Sequence, residues 1–450
     1  MPFFTFTKKL STSFAPMKWV VAVFSIFIML PLLAQQEQED TTKVSDKAIE
    51  QLKYKQQPGL ALAASKIFFS DKRYSISGFG EFNYIPFQTG LSSELGDLEL
   101  YYSGLYRFAT FFGYRLTDKI IWNSEFQIEL IHDRLEEVDY EIVIEAFFDF
   151  IVKDYFKARV GFFPLTIGYV NNNDEPVMFY SVNRSDVERM IIPSTWIEFG
   201  AMFYGNITDD LNYALGVTQG LNSVSYLSGT WIRQGREIRL DVPQSISLNP
   251  QLNYTGIKNW TLSTSGYFGN SGQGNIVEMN GQESTIRGNI LLGSAYAKYD
   301  KKNFRFVTVG TYGQLNDTDK IFFQTQESQG AGQVIGSEVY GCLFEAGYNI
   351  LPHFQKTEKP HKKTKFFDSE EQKLMIFGRY ERLNTHQSIH PSLVSFNRIE
   401  NDLDIYTVGI KYNTKENIVF KANYRNIRNR FEGDHSPIKH LAEFGFGFIF

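Results

Sequence analysis

The stretch KHLAEFGFGFIF, residues Lys439–Phe450, decides the fold. Phenylalanine recurs in it at alternate positions: 444, 446, 448 and 450. Alternate residues of a strand share a face, so one face carries four rings and the other carries Glu443 and two glycines. The alternative is a soluble sandwich strand that ends in Phe, but four exposed rings at a free sheet edge would cause aggregation. The pattern therefore predicts a strand whose apolar face meets lipid.

The same period of two recurs along the chain from Tyr74 onward. Composition agrees, because 41 Phe and 25 Tyr against 14 Pro favour strands. Repeated segments of about ten alternating residues separated by turns are typical of a transmembrane barrel. Sixteen such segments are predicted: 74–84, 98–114, 120–131, 140–152, 156–169, 195–207, 212–219, 248–257, 260–269, 288–299, 304–315, 338–350, 373–383, 403–412, 418–428 and 439–450.

The connections between these segments alternate in length. Short turns such as 117–119, 153–154 and 258–259 alternate with long connections such as 170–194, 220–247 and 316–337. Outer-membrane barrels have short periplasmic turns and long outer loops, so the alternation predicts an even strand number with both termini periplasmic. The exception is 351–372, which is long and basic although it should be periplasmic.

The amino-terminal region has the features of an export signal. Lys18 precedes the apolar run Trp19–Leu33, and the small residue Ala34 and a polar stretch follow it. The run is shorter than the ~20 residues of a transmembrane helix, so residues 1–34 are interpreted as a signal peptide, with Met17 as an alternative start. A signal anchor is the competing interpretation.

The remaining chain is divided at about residue 70. Residues 35–70 are interpreted as a periplasmic leader, partly helical around Val44–Gln56 or disordered, with a plug as an alternative, and 71–450 as the barrel. Loss of 1–34 removes three lysines and no acid, which leaves 42 basic against 50 acidic residues and a net charge of −8. No basic block suggests a nucleic-acid partner. Cys342 is the only cysteine, which excludes an intramolecular disulfide.

Several stretches resemble the phosphate-selective porin family, namely 78–84 (GFGEFNY), 157–165 (KARVGFFPL), 200–205, 213–220, 378–383 and 406–412. The resemblance follows the order of the chain over most of 74–450. It implies a sixteen-stranded, trimeric porin in the outer membrane of a Gram-negative bacterium. The terminal Phe450 resembles the signal read by the barrel assembly machinery, and outer-membrane lipids and lipopolysaccharide are the expected surroundings. Phosphate specificity in that family depends on basic loop clusters and an arginine ladder, whereas this chain is acidic and shows no unambiguous ladder.

The polar partner of each alternating pair should face the lumen. This predicts an acidic arc over the early strands, consisting of Glu81, Glu125, Glu129, Glu141, Glu145 and Asp149, with Arg107 set into it. Later strands supply basic pore-lining residues: Lys157, Arg159, Arg379, Lys411, Lys421 and Arg425. Opposed arcs would create a transverse field that sets ion preference. Alternatively, these charges merely pair and solvate a wide lumen.

The connection 170–194 is the candidate constriction loop. It follows the fifth strand, as the inward-folded loop does in the porins that the chain resembles. Its charged residues include Asp174, Glu175, Arg184 and Arg189. An ordinary surface loop is the competing interpretation.

Signals for catalysis, cofactors or metals are weak. The spacing of His386 and His390 would suit a metal on a helix, but this stretch is interpreted as an outer loop, and no nucleophile elbow of the Gly-x-Ser-x-Gly type occurs. The sequence thus predicts a non-enzymatic channel for small hydrophilic solutes and ions, with mild anion preference and no tight phosphate site. The alternative is an outer-membrane enzyme or a structural barrel without an open pore.

Overall fold

The structure is a computed structural model. It describes residues 49, 52–89, 102–132, 138–237, 243–279, 281–354, 364, 368, 370–431 and 437–450. The predicted signal peptide and most of the basic connection 351–372 lie outside the described residues. The same is true of most of the helix predicted around Val44–Gln56.

Sixteen antiparallel strands form one closed barrel, which confirms the predicted fold class. Each strand pairs with its neighbour along the chain, and the first pairs with the last, so Glu81 lies opposite Gly447. The barrel strands are β1 (74–88), β2 (104–117), β3 (120–132), β4 (138–153), β5 (156–164), β6 (197–206), β7 (211–219), β8 (246–254), β9 (260–270), β12 (289–301), β13 (304–315), β14 (338–349), β15 (373–388), β16 (402–415), β17 (418–429) and β18 (438–449); β10 (276–279) and β11 (282–285) form a separate hairpin.

Alternation of side chains gives the barrel two different faces. On β1, Phe82 and Tyr84 are about half exposed on the outside, whereas Glu81 and Asn83 are buried on the inside. On β18, Phe444 is 51% exposed and Glu443 is fully buried. The faces that the sequence predicted for Glu81, Glu443 and Phe444 are therefore the faces observed.

The connections differ between the two ends of the barrel. One end, called here the short-turn end, carries tight turns such as 118–119, 154–155 and 416–417 and the start of β1. The other, the long-loop end, carries connections such as 220–245 and 316–337. A helix, α2 (Thr318–Gln329), lies in the second of these. Among the described residues, no helix is long and apolar enough to cross a membrane.

Two of the strand boundaries that differ from the prediction affect the candidate site. The fifth strand ends at Pro164 rather than Tyr169. The Leu165 N–H still donates to the Trp196 carbonyl at 2.7 Å, but the next N–H, that of Thr166, donates to the Asn249 side chain, so the ladder stops there. Strand β15 continues to Ser388, five residues beyond the prediction. His386 therefore lies in a strand and not in an outer loop, and its buried ring contacts the Val334 carbonyl oxygen.

Candidate pore constriction

Residues 165–196, called here the constriction loop, connect β5 to β6 and lie against the inner wall of the barrel. At its middle, the Val182 N–H donates to the Asn423 side chain of β17 at 2.7 Å. The Lys421 ammonium of the same strand donates to the Ser181 carbonyl at 3.0 Å. The Asn183 amide donates to Glu443 of β18 at 3.0 Å. Polar groups of the wall thus hold the loop backbone across the lumen.

Glycines on the wall allow this close approach. A Cβ added to Gly447 would lie 2.5 Å from Cβ of Pro176, and one added to Gly347 would lie 2.6 Å from Cζ of Tyr180. Both distances are far shorter than a carbon–carbon contact of about 3.5–4.0 Å. The ring of Tyr180 also stacks on Phe377 of β15, with centroids 5.5 Å apart. These wall positions must therefore remain without a side chain.

The loop is also organised from within, around the short helix α1 (Asp186–Met190). Ser185 caps α1 by accepting the N–H of Glu188. The Glu188 carboxylate accepts the N–H groups of Tyr169 and Val170 at 2.6 and 2.8 Å. Burial raises the pKa of Glu188 to about 7, although the two hydrogen bonds from the backbone lower it. One carboxylate thus fixes the shape of the loop at its base.

The acidic arc faces inward and is largely buried. Glu125 lies directly opposite Glu145, and Glu129 directly opposite Glu141, in the pairing of β3 with β4. Of these four, Glu141 alone is exposed. Arg107 of β2 is surrounded by this arc, and its guanidinium bonds Glu81 at 2.6 Å and the Asp174 carbonyl at 3.1 Å.

The predicted basic residues are mostly paired with carboxylates. Arg159 bonds Asp149 at 3.0 Å and is fully buried. Arg379 lies 2.8 Å from Glu381. The other pairs are Arg425 with Glu443 and Asp186, and Lys157 with Asp154. Paired in this way, these groups present little net charge to the lumen.

Two lysines behave differently, because their ammonium groups contact loop carbonyls and aromatic rings. Lys421 donates to Ser181 and lies 3.6 Å from the ring centre of Phe179. Lys411 donates to the Val177 carbonyl and lies 5.6 Å from the ring centre of Tyr180. The period of two placed both lysines inside, but no local signal in the sequence indicated that the constriction loop would cover them.

A small cavity remains beside the loop, with a volume of about 30 Å³. It is lined by Glu81, Asn83, Tyr102, Leu105, Arg107, Glu129, Val182, Asn183, Arg184 and Arg189. Three arginines and two glutamates thus surround this cavity. Arg184 and Arg189 come from the predicted loop, and the other three charged residues come from the predicted inner wall. The Arg107 Nη1 atom is buried there without a hydrogen-bond partner.

Residues 52–70, called here the luminal segment, lie under the constriction loop inside the barrel. Ala63–Phe68 form a 3₁₀ helix. Its backbone carbonyls accept hydrogen bonds from inward-facing side chains, with Ser77 bonding Ala63 at 2.7 Å and Asn123 bonding Ala64 at 3.0 Å. Arg159 bonds the Pro58 carbonyl at 2.8 Å. This part of the predicted leader therefore lies against the barrel wall.

Among the residues that the structure describes, no group of three or more His, Cys, Asp or Glu side chains could hold a metal ion. His386 and His390 do not share a site, since His390 contacts Ser392 on the loop that follows β15.

Comparison with known proteins gives distant similarities. No protein-family model matches the chain. An uncharacterized protein of Aquifex aeolicus (strain VF5) is 28% identical over 379 residues, which are 82% of this chain and 79% of that protein.

Among solved structures, OmpF of Salmonella typhi in complex with daunomycin is 11% identical with a TM-score of 0.49. The outer membrane channel DcaP of Acinetobacter baumannii is 9% identical with a TM-score of 0.49. Both matches cover 84% of this chain and 97% of the other. An anion-selective porin from Comamonas acidovorans is 8% identical with a TM-score of 0.46, over 84% of this chain and 99% of its own. These similarities are too weak to carry an argument about function, and the fold assignment depends on the strand pairing of the barrel itself.

Proposed function

We propose that the chain is an outer-membrane porin, a passive diffusion channel for small hydrophilic solutes and ions. The observation that carries the proposal is the closed barrel of sixteen strands with an apolar outer face and a charged inner face. Barrels of this strand number are wide enough for an aqueous channel, and an apolar outside with a polar inside is what a lipid bilayer requires of a channel.

We also propose how the barrel is oriented in the outer membrane and which molecules surround it. The short-turn end, with both termini, faces the periplasm, and the long loops face outward. Lipids and lipopolysaccharide surround the barrel, the assembly machinery inserts it, and three copies form the functional unit. The short turns and the exposed aromatic rings on β1 and β18 support this arrangement.

The proposed selectivity is a mild preference for anions, including phosphate, without a tight site. It is supported by the cavity beside the constriction loop, where three arginines meet two glutamates. The buried pairs of Arg159 and Arg379 contribute little, because each arginine already has a carboxylate partner. Charges at the narrowest point matter most, since exposed charges beyond a Debye length of ~8 Å are screened.

Planar bilayers test the channel directly. Purified, heat-modifiable protein should give stepwise conductance. Silent bilayers with folded protein would refute the channel and would favour a structural barrel. A specific observation makes this alternative worth testing, namely that nearly all of the inward charged side chains are buried under the constriction loop and the luminal segment.

A salt gradient tests the selectivity. Arg184 is the cavity arginine with the most exposed side chain, and its nearest carboxylate, on Asp174, is 3.9 Å away. Arg184→Gln should therefore move the reversal potential toward cation preference without unfolding the barrel. The matched control is Arg428→Gln, which changes an exposed arginine that stacks over Tyr406 on the outer face. An equal shift in both variants, or cation preference of the native channel, would refute the anion proposal.

A further inference from the structure

We propose that residues 52–70 are a displaceable plug, held in the lumen by the carboxyl group of Glu175, and that release of this contact widens the channel. The widening rests on the proposed channel function, whereas the displacement of the plug does not.

A single carboxyl group of the constriction loop joins that loop to the luminal segment. Glu175 of the constriction loop accepts the N–H of Leu62 at 2.9 Å and the N–H of Ala63 at 2.8 Å. These N–H groups lie at the start of the 3₁₀ helix, which has no capping side chain of its own. The first N–H groups of a helix have no partner within it, so Glu175 supplies the acceptors that this helix lacks.

The plug presents small side chains and backbone carbonyls to the wall. The buried residues of its 3₁₀ helix are Ala63, Ala64, Ser65 and Ile67, and Leu60, just before the helix, is buried as well. Ile67 fits against the wall only because β2 has a glycine there, since a Cβ on Gly113 would lie 2.7 Å from Cβ of Ile67. Two large apolar side chains, Leu60 and Ile67, are fully buried, and hydrogen bonds to the wall and to the constriction loop carry the rest of the contact.

The connection between the plug and the barrel allows movement. Asp71–Arg73 join the segment to β1, and all three residues are exposed. The segment can therefore leave the lumen toward the short-turn end while the strand pairing of β1 with β2 and β18 stays intact. Loss of Glu175 would leave the buried N–H of Ala63 and the half-buried N–H of Leu62 unpaired, which is the costly case for a hydrogen bond.

The carboxyl of Glu175 also responds to pH. Burial raises its pKa to about 7, opposed by the hydrogen bonds from Ala63 and Leu62 and by Arg107. Asp174 of the same loop faces the carboxyl, as do Arg107 of β2 and Tyr54 of the luminal segment. A carboxyl that is hydrated after displacement returns toward its ordinary pKa of about 4.3. The Glu175 carboxyl therefore binds its proton more tightly while the plug is in place, so a rise in pH favours release of the plug.

The first experiment measures displacement without reference to conductance. Ser65 is fully buried, so Ser65→Cys in a Cys342→Ser background should react slowly with a membrane-impermeant maleimide. Adding Glu175→Ala should raise the labelling rate about tenfold or more. The matched control is Glu416→Ala, which removes an exposed carboxylate from a turn at the same end. Equal labelling with and without Glu175 would overturn the plug.

The second experiment locks the plug covalently in the same background. Ile67→Cys with Gly113→Cys places two Cβ atoms 2.7 Å apart, so the segment must move by about 1 Å to reach the spacing of about 3.5–4.5 Å that a disulfide needs. With Glu175→Ala present, the oxidised protein should conduct poorly and reduction should raise its conductance severalfold. Oxidation and reduction compare one folded sample, which excludes a folding defect as the cause.

The outcomes separate this proposal from the channel itself. Conductance that is unaffected by the lock overturns the plug but leaves the channel standing. Silent bilayers in both redox states refute the channel, and the labelling ratio then decides whether the segment is displaced.

Discussion

Gly447→Ala should loosen the constriction loop from the barrel wall. The new Cβ would lie 2.5 Å from Cβ and 2.7 Å from Cγ of Pro176. Carbon atoms need about 3.5–4.0 Å, so one of the two backbones must move by roughly 1 Å. The ring of Pro176 is fixed to its own backbone and cannot rotate away, so the loop itself must shift.

The magnitude follows from the packing. Inserting a methyl group into a well-packed interior costs about 1–3 kcal/mol, and we expect a loss of that size in the free energy of unfolding. Urea titration in lipid vesicles, monitored by tryptophan fluorescence, measures it. Trp196 and Trp231 are fully buried and report on the folded interior.

Gly310→Ala is the matched control. Gly310 faces outward on β13, and a Cβ there would meet no atom within 4 Å. Its free energy of unfolding should change by less than about 0.5 kcal/mol. If the two variants lose the same stability, the steric argument for the inward glycine is wrong.

Three further predictions concern assembly, a buried ion pair and pH. Phe450→Asp should leave unassembled chain in the periplasm, since Phe450 stacks on Phe108 at the outer face and a charge facing lipid costs up to ~2–4 kcal/mol at mid-bilayer; cell fractionation and heat modifiability measure this. Arg425→Leu should lower the free energy of unfolding by about 3–5 kcal/mol, because two buried carboxylates lose their shared partner; a loss below 1 kcal/mol in urea titration would contradict the burial. The Glu175 pKa of about 7 lies above that of a hydrated glutamate, so plug stability is fully present below about pH 4.3 and is lost as pH rises to about 7. Labelling of Ser65→Cys, normalised to an exposed reference cysteine, should rise over this range, and a flat profile would contradict it.

The sequence by itself determined the barrel and the face of each strand. A period of two is a local property, since successive side chains point to opposite sides whatever the partner strand is. For that reason the alternation in Lys439–Phe450 sufficed to place Phe444 outside and Glu443 inside. Repetition of the pattern determined the strand number, and the length of the connections separated the two ends.

Only the tertiary structure decided what fills the lumen. Contacts such as Glu175 with Leu62, or Pro176 with Gly447, join residues more than 100 positions apart. Their geometry depends on barrel closure and on the path of a loop without periodicity, so no local pattern encodes them. The pairing of Arg425 with Asp186 has the same origin, whereas Arg159 and Asp149 are directly opposed in the hairpin of β4 and β5. Alternation places a charge inside a barrel, but only the folded neighbours determine whether that charge meets a counter-ion, a backbone carbonyl or a permeating solute.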